Sequence, residues 1–252
     1  MSKVLLVPLL ACLLAACAPK SPTARTQASL AVLHNERGVL CLREGDYVRA
    51  VDEFSRAIEL RADFAEAYNG RGVAHRRLRE YERAIADYDR AIALRPHYAL
   101  AHYNRGLAQN YLGQYEQAIE DYDRALALGT PDDARVYCDR GLAYDELGQH
   151  ERAVENYDQA IALRPDYAVA YNNRGAALLH LKEFQRAIED YTQAMALAPD
   201  YAAPYFGRGM AYKSLGQRGK ARADLEKFLE LRRDPFWRLR AQEQLRTLRE
   251  EK

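Results

Sequence analysis

The sequence predicts an all-α protein, an α-solenoid of six helix-turn-helix repeats closed by a C-terminal capping helix. Three observations carry this. First, Arg-Gly recurs at Arg37-Gly38, Arg71-Gly72, Arg105-Gly106, Arg140-Gly141, Arg174-Gly175 and Arg208-Gly209, with the glycines 34, 34, 35, 34 and 34 residues apart. Second, the stretches Ala84–Ile92 and Ala118–Leu126 are nearly the same sequence one period apart. Third, apolar and small residues within each period fall at three-and-four spacing, as in Ala67, Gly70, Val73, Ala74 and Leu78, then Tyr81, Ala84, Ile85, Tyr88, Ala91 and Ile92. That spacing puts them on one face of a helix. A fixed period in this range means a stack of units, none of which can bury its apolar face alone.

The N-terminus reads as an address. Lys3 supplies a positive charge and Val4–Ala16 is an apolar run broken only by Pro8. Such a run is short of the roughly 20 residues that a membrane span needs and has the pattern of a secretory signal. Leu14-Ala15-Ala16-Cys17 resembles the lipobox of bacterial lipoproteins, in which the signal is cut before the cysteine and its sulfur carries a diacylglycerol. The resemblance implies a signal over 1–16, lipidation at Cys17 and anchoring through the N-terminal lipid. Two or more acyl chains suffice for stable attachment. Ala18, in the enteric sorting scheme, points to the outer membrane. Residues 17–30 hold Pro19, Ser21, Pro22, Thr23 and Thr26 without apolar periodicity and read as a flexible tether.

The units run 31–64, 65–98, 99–133, 134–167, 168–201 and 202–235. Counted from Ala31, Ala65, Ala99, Ala134, Ala168 and Ala202, each has Tyr or His at place 4, Gly at place 8 and Ala at place 20; five have an aromatic at place 24 and five have Ala at place 27. Gly72 and Ala84 are small where the helices of a hairpin approach, and Ala91 is small to admit the next unit. Pro96, Pro165 and Pro199 close three units at place 32, where a missing N–H ends a helix. The third unit has one extra residue near Gly129-Thr130-Pro131, which a loop absorbs. Residues 236–252 follow as an amphipathic helix with Trp237, Ala241, Leu245 and Leu248 on one face.

This pattern resembles the tetratricopeptide repeat over about 205 of the 252 residues. The resemblance implies a right-handed solenoid whose concave face, lined by first helices, takes a protein or an extended peptide. Its places 2, 5, 9, 12 and 13 map here to Asn69, Val73, Arg76, Tyr103, Leu107, Asn110, Tyr111, Leu142, Asp145, Asn172, Ala176 and Leu179. Val73, Leu107 and Leu142 would form an apolar strip flanked by amides. Some family members grip a C-terminal carboxylate with Lys, Asn and Arg; the spacing here does not match, and that use is not expected. The overall plan is similar to NlpI-like outer-membrane lipoproteins, which present substrates to an envelope protease and join cell-wall enzymes. A pilotin-like escort of a secretin or type IV pilus subunit fits the same plan.

Where the family usually has Leu at place 7, this chain has Arg in all six units. Place 23 holds Glu53, Asp87, Asp121, Asn156, Asp190 and Asp224. Antiparallel helices bring the two places together. The expectation is a structural ladder inside the hairpins: Arg37–Glu53, Arg71–Asp87, Arg105–Asp121, Arg140–Asn156, Arg174–Asp190 and Arg208–Asp224. The alternative is an arginine row that binds an anionic partner.

Other chemistry is not indicated. The 37 Lys and Arg balance 36 Asp and Glu, which argues against nucleic-acid binding. None of the six His has a metal-ligand spacing, no nucleophile elbow occurs, and about 50 residues outside the repeats are too few for a catalytic domain. No catalytic residue, cofactor or metal is expected. Cys41 and Cys138 sit three units apart and read as unpaired packing residues. Charge is uneven: residues 31–203 carry 21 Lys/Arg against 29 Asp/Glu, whereas 204–252 carry 13 against 7. The basic end reads as a solvated cap or as a surface for anionic lipid or an acidic partner. Self-association through the end units is left open by the sequence. The expected location is the periplasmic side of a bacterial membrane.

Overall fold

The computed structural model describes residues 22–250. The expected signal over 1–16 and Cys17 therefore lie outside the described residues. Thirteen helices are present among those described: α1 (Pro22–Glu44), α2 (Tyr47–Leu60), α3 (Ala65–Arg77), α4 (Tyr81–Leu94), α5 (Ala99–Tyr111), α6 (Tyr115–Leu128), α7 (Asp133–Glu146), α8 (His150–Leu163), α9 (Ala168–His180), α10 (Phe184–Leu197), α11 (Ala202–Ser214), α12 (Arg218–Leu231) and α13 (Pro235–Glu250). They fall into two compact units, α1–α4 up to Arg95 and α5–α13 from Pro96 on. Each hairpin pairs an odd-numbered helix with the even-numbered one after it.

The tether expected over 17–30 needs correction, because it is helical from Pro22 onward. Proline suits a first helical turn, where its missing N–H costs nothing. Thr23–Leu30 then contains no Gly or Pro to stop the helix.

The first five hairpins each close on a ring laid over a glycine. Phe54, Tyr88, Tyr122, Tyr157 and Tyr191 are almost wholly buried. A Cβ added to Gly38, Gly72, Gly106, Gly141 or Gly175 would come within 2.6–3.0 Å of these rings, closer than side chains pack. The glycine is thus needed mainly for the ring, with the Ala118 carbonyl next at 3.1 Å from Gly106. Burying one such side chain contributes about 1.5–3 kcal/mol. In the sixth hairpin Leu225 replaces the ring, and the nearest atom to a Cβ on Gly209 is 3.2 Å away.

The turn inside each hairpin has a fixed backbone. Place 15 is left-handed in every unit, at Gly45, Gly113, Gly148 and Gly216 but also at Arg79 (φ 64°) and Lys182 (φ 62°). At Gly113 the chain makes the paired hydrogen bonds of a helix-ending turn, Gly113 N–H to Asn110 O and Gln114 N–H to Gln109 O. The extra residue of the third unit lies in a loop where Thr130 N–H and its hydroxyl both donate to Asp133 Oδ1, at 2.8 and 2.7 Å.

Four arginines at place 7 make bidentate pairs with the place-23 aspartate of their own hairpin. The Nε and Nη2 groups lie 2.9 and 2.7 Å from Asp87 for Arg71, 2.7 and 2.8 Å from Asp121 for Arg105, 2.8 and 2.6 Å from Asp190 for Arg174, and 2.8 and 2.8 Å from Asp224 for Arg208. Arg140 Nε donates to Asn156 Oδ1 at 2.7 Å. The first rung needs correction. Glu53 meets His34 at 2.7 Å, and Arg37, which is exposed, reaches it only through its field. His34 stands one turn before the arginine, at the place from which His102 also meets Asp121, at 3.2 Å. The His34 hydrogen bond holds the Glu53 carboxyl below its ordinary value.

The rungs also do something that pairing within a hairpin does not require. The third nitrogen of Arg71 donates to Ser55 and that of Arg208 to Thr192, at 3.1 and 2.9 Å. The same nitrogen of Arg140 contacts Asp123, and that of Arg174 contacts Asp158. All four acceptors sit at place 25 of the preceding unit. One guanidinium therefore ties its own hairpin together and fastens it to the hairpin before. Burial pushes the Asp190 carboxyl up from its ordinary value, while Arg174 pulls it back down.

At the C-terminal end α13 packs Ala241, Leu245, Leu248 and Trp237 against Ala221, Leu225 and Phe228. Lys213 adds hydrogen bonds to Gln244 and Thr247 at 2.8 and 2.7 Å. Cys41 and Cys138 are free and buried, and burial pushes the Cys138 thiol up to about 12.

Two stability tests follow. Gly106→Ala forces a methyl into the Tyr122 ring and should cost about 1–3 kcal/mol, while Gly209→Ala, facing Leu225, should cost less than half as much; equal losses in denaturant titration would contradict the ring-on-glycine account. Arg174→Ala leaves Asp190 buried without its cation and should cost about 3 kcal/mol, whereas Arg174→Leu with Asp190→Leu should stay within about 1 kcal/mol of the parent. A double variant as unstable as the single one would show that the rung itself, and not the stranded charge, sets the loss.

Candidate functional site

The first helices touch one another within each unit. α1 meets α3 in the first; α5 meets α7, α7 meets α9 and α9 meets α11 in the second. The side of a helix stack on which neighbours crowd is its inner side, and there a row of first helices presents an extended surface.

On α3 the expected lining residues Asn69, Val73 and Arg76 are half-buried. In the second unit Asn110, Leu142, Asp145, Asn172, Ala176 and Leu179 are half-buried and Tyr111 is 61% exposed. Asp145 is already engaged by His150 at 2.6 Å, and Asn172 donates to Asn173 Oδ1 at 3.1 Å. Tyr103 and Leu107 do not line the surface as expected. Both are only 8% exposed and belong to the core with Ala118, Tyr122, Val136 and Cys138. The cause is Asp139 on α7, which accepts the Tyr103 hydroxyl at 2.6 Å and draws the ring between α5 and α7. Burial, helped by the Asp139 charge, pushes that hydroxyl far above its ordinary value. The apolar strip therefore loses Leu107, and in the second unit it consists of Leu142 and Leu179.

Arg71, Arg105, Arg174 and Arg208 face the acids of their own hairpins and Arg140 faces Asn156, so these five guanidinium groups serve the fold; Arg37 is the exposed exception. Among the described residues no group of His, Cys, Asp and Glu is arranged to hold a metal ion, and no helix is long and apolar enough to cross a membrane.

The second unit also contains a cavity of about 300 Å³ where α9, α11, the end of α12 and α13 meet. Asn172 and Ala176 lie on its groove side. Tyr191, Phe206, Phe228 and Trp237 form its walls, Ala203 and Gly207 its narrow side, and Arg232 its rim. The rings support one another: Phe206 lies 5.3 Å from Phe228 and 5.8 Å, edge-on, from Trp237. Gly207 is required here, because a Cβ would overlap the Tyr191 ring. The sequence reading misses Phe206, Arg232 and Trp237 as a group. Its available signal is the small residue at place 9 (Ala176) and at place 6 (Gly207), where the neighbouring units carry Leu142 and Asn173.

Family models described as tetratricopeptide repeat match residues 65–98, 97–166, 168–201 and 202–235. No curated protein matches the chain. Among solved structures, MamA 41-end from Desulfovibrio magneticus RS-1 is 27% identical, with 68% of this chain and 96% of that one covered and a TM-score of 0.62. YrrB, described as a TPR protein with an unusual peptide-binding site, is 24% identical over 75% of this chain and 97% of its own, with a TM-score of 0.61. PilW, described as a widely conserved type IV pilus biogenesis factor, is 16% identical over 83% and 94%, with a TM-score of 0.71. Repeat, fold and inner surface together place this chain in the tetratricopeptide-repeat family.

Proposed function

We propose that the chain is a protein-binding scaffold of the bacterial cell envelope, held by a lipid on Cys17 at the periplasmic side of a membrane, the outer one by the sorting residue Ala18. The observation that carries the scaffold role is the row of half-buried first-helix residues, Leu142, Asp145, Asn172, Ala176 and Leu179, which mixes apolar contact with amides able to meet a peptide backbone. Such faces on stacked helix pairs bind extended partners. Tetratricopeptide-repeat proteins are typically non-enzymatic scaffolds, which favours binding over catalysis as the role. A lipid tether would raise the effective concentration of whatever the surface captures. The membrane attachment rests on the sequence of residues 1–17 alone.

A second reading, an assembly factor for a secretin or a type IV pilus, draws on the PilW likeness. At 16% identity that likeness carries the fold and no more, so this reading stands behind the general one.

Photoreactive residues placed at Tyr111 and Leu142 in cells should give discrete adducts that Glu189, on the exposed side of α10, does not. Adducts of equal yield at Glu189 would remove the inner surface as the binding site. Mass spectrometry of the adducts separates envelope proteases and cell-wall enzymes from a secretin. Cys17→Ser should move the protein from the membrane to the soluble fraction, and retention in the membrane would refute lipid anchoring.

A further inference from the structure

We propose that the cavity between α9, α11 and α13 is an anchor site for one bulky apolar side chain, Phe or Leu in size, of an acidic peptide segment. It rests on the scaffold reading, because Asn172 and Ala176 belong both to the inner surface and to the cavity.

The cavity arises from departures from the repeat. Place 9 is Val73, Leu107, Leu142 and Met210 in four other units and Ala176 here. Place 6 is Asn104, Asp139 and Asn173 in the three units before and Gly207 in the sixth, a glycine that the second unit also has, at Gly70. Place 27 is Ala in five units and Phe228 in the sixth. The first two changes remove side chains from one side of the space, and the third adds a ring to the other. The result is an apolar cavity at the small end of ligand sites, with few polar groups on its border.

Charge selects the flanking residues. One side of the cavity, Phe206, Gly207, Phe228, Arg232 and Trp237, comes from the part of the chain that carries 13 Lys/Arg against 7 Asp/Glu, and Asn172, Ala176, Tyr191 and Ala203 come from the part before it. Arg232 stands exposed on its rim, and the Arg240 guanidinium lies 5.5 Å from the Trp237 ring centre. No carboxylate lines the cavity among the described residues. An acidic segment running along the inner surface would place its carboxylates at Arg232 and its backbone at Asn172, while one apolar side chain enters between the rings.

Trp237 is the only tryptophan of the chain and forms a wall of the cavity, so its fluorescence reports occupancy directly. The probes are acetylated, amidated heptapeptides Asp-Glu-Asp-X-Asp-Glu-Asp with X as Phe, Leu or Ser, titrated into the full chain. The Phe and Leu peptides should shift Trp237 emission with a Kd at least tenfold below that of the Ser peptide. Ala176→Leu, which restores the residue carried by neighbouring units, should raise the Kd at least tenfold, as should Arg232→Glu. Ala203→Phe fills the same space from an exposed position and serves if Ala176→Leu lowers the melting temperature. Equal binding of the Phe and Ser peptides, or an unchanged Kd in both filling variants, would overturn the anchor site. Adducts at Leu142 that persist while the peptides fail at Trp237 would sink the anchor and leave the scaffold standing; loss of both would sink the two together.

Discussion

The guanidinium of Arg174 joins three helices. α9 carries it, α10 meets it through Asp190, and α8 meets it through Asp158. Arg71 in the first compact unit and Arg140 and Arg208 in the second repeat the arrangement, so one side chain sets both the angle within a pair and the register between neighbouring pairs of the same compact unit. A leucine at the same place would pack the hairpin but would not choose a partner in the neighbouring one. Planar, forked and always charged, arginine can satisfy two acceptors in its own unit and still reach a third elsewhere. The buried aspartates are tolerable only because the fork meets them from the moment the hairpin closes.

That arrangement explains why the inner surface is free to vary. Hairpin closure rests on rings over glycines and on the arginine forks, both away from places 5, 9 and 12. Place 5 accordingly differs from unit to unit, Asn69, Tyr103, Cys138, Asn172 and Phe206 in the second to the sixth, although Tyr103 and Cys138 are buried in the core. Where such a residue stays half-buried on the inner surface, as Asn69 and Asn172 do, variation can serve recognition. The sixth unit uses the freedom most, trading side-chain bulk on one wall for aromatic rings on the other.

Much of the fold is legible in the sequence because the repeat states it several times over. The Arg-Gly period, the rings at place 24 and the small residues at places 8 and 20 are side-chain identities, and identity is what a sequence prints. Backbone geometry is less visible. Arg79 and Lys182 adopt the left-handed conformation that glycine takes in the other four units, and nothing in their chemistry announces it. The helix over Pro22–Leu30 is hidden for a related reason, since scattered Pro, Ser and Thr read as a linker when no apolar period accompanies them. At the inner surface, family geometry points to Tyr103 and Leu107, but a single aspartate on the next helix suffices to turn the tyrosine inward. The second contact made by Arg71, Arg140, Arg174 and Arg208 escapes detection because the acceptors, Ser55, Asp123, Asp158 and Thr192, share a position and not a residue type.

The capping helix is the exception to the riveted plan. α13 carries no fork onto a buried aspartate; apolar contacts of Trp237, Ala241, Leu245 and Leu248, two hydrogen bonds from Lys213, and Arg238 donating to the Leu229 and Arg232 carbonyls hold it. In a linear array, where each element is steadied by its nearest neighbours, such a terminal element is the first to fray. When it peels away it takes the indole wall of the cavity with it. Occupant and cap would then fold cooperatively, each present to the extent that the other is, and the C-terminal end of the second compact unit becomes a latch that its own cargo shuts.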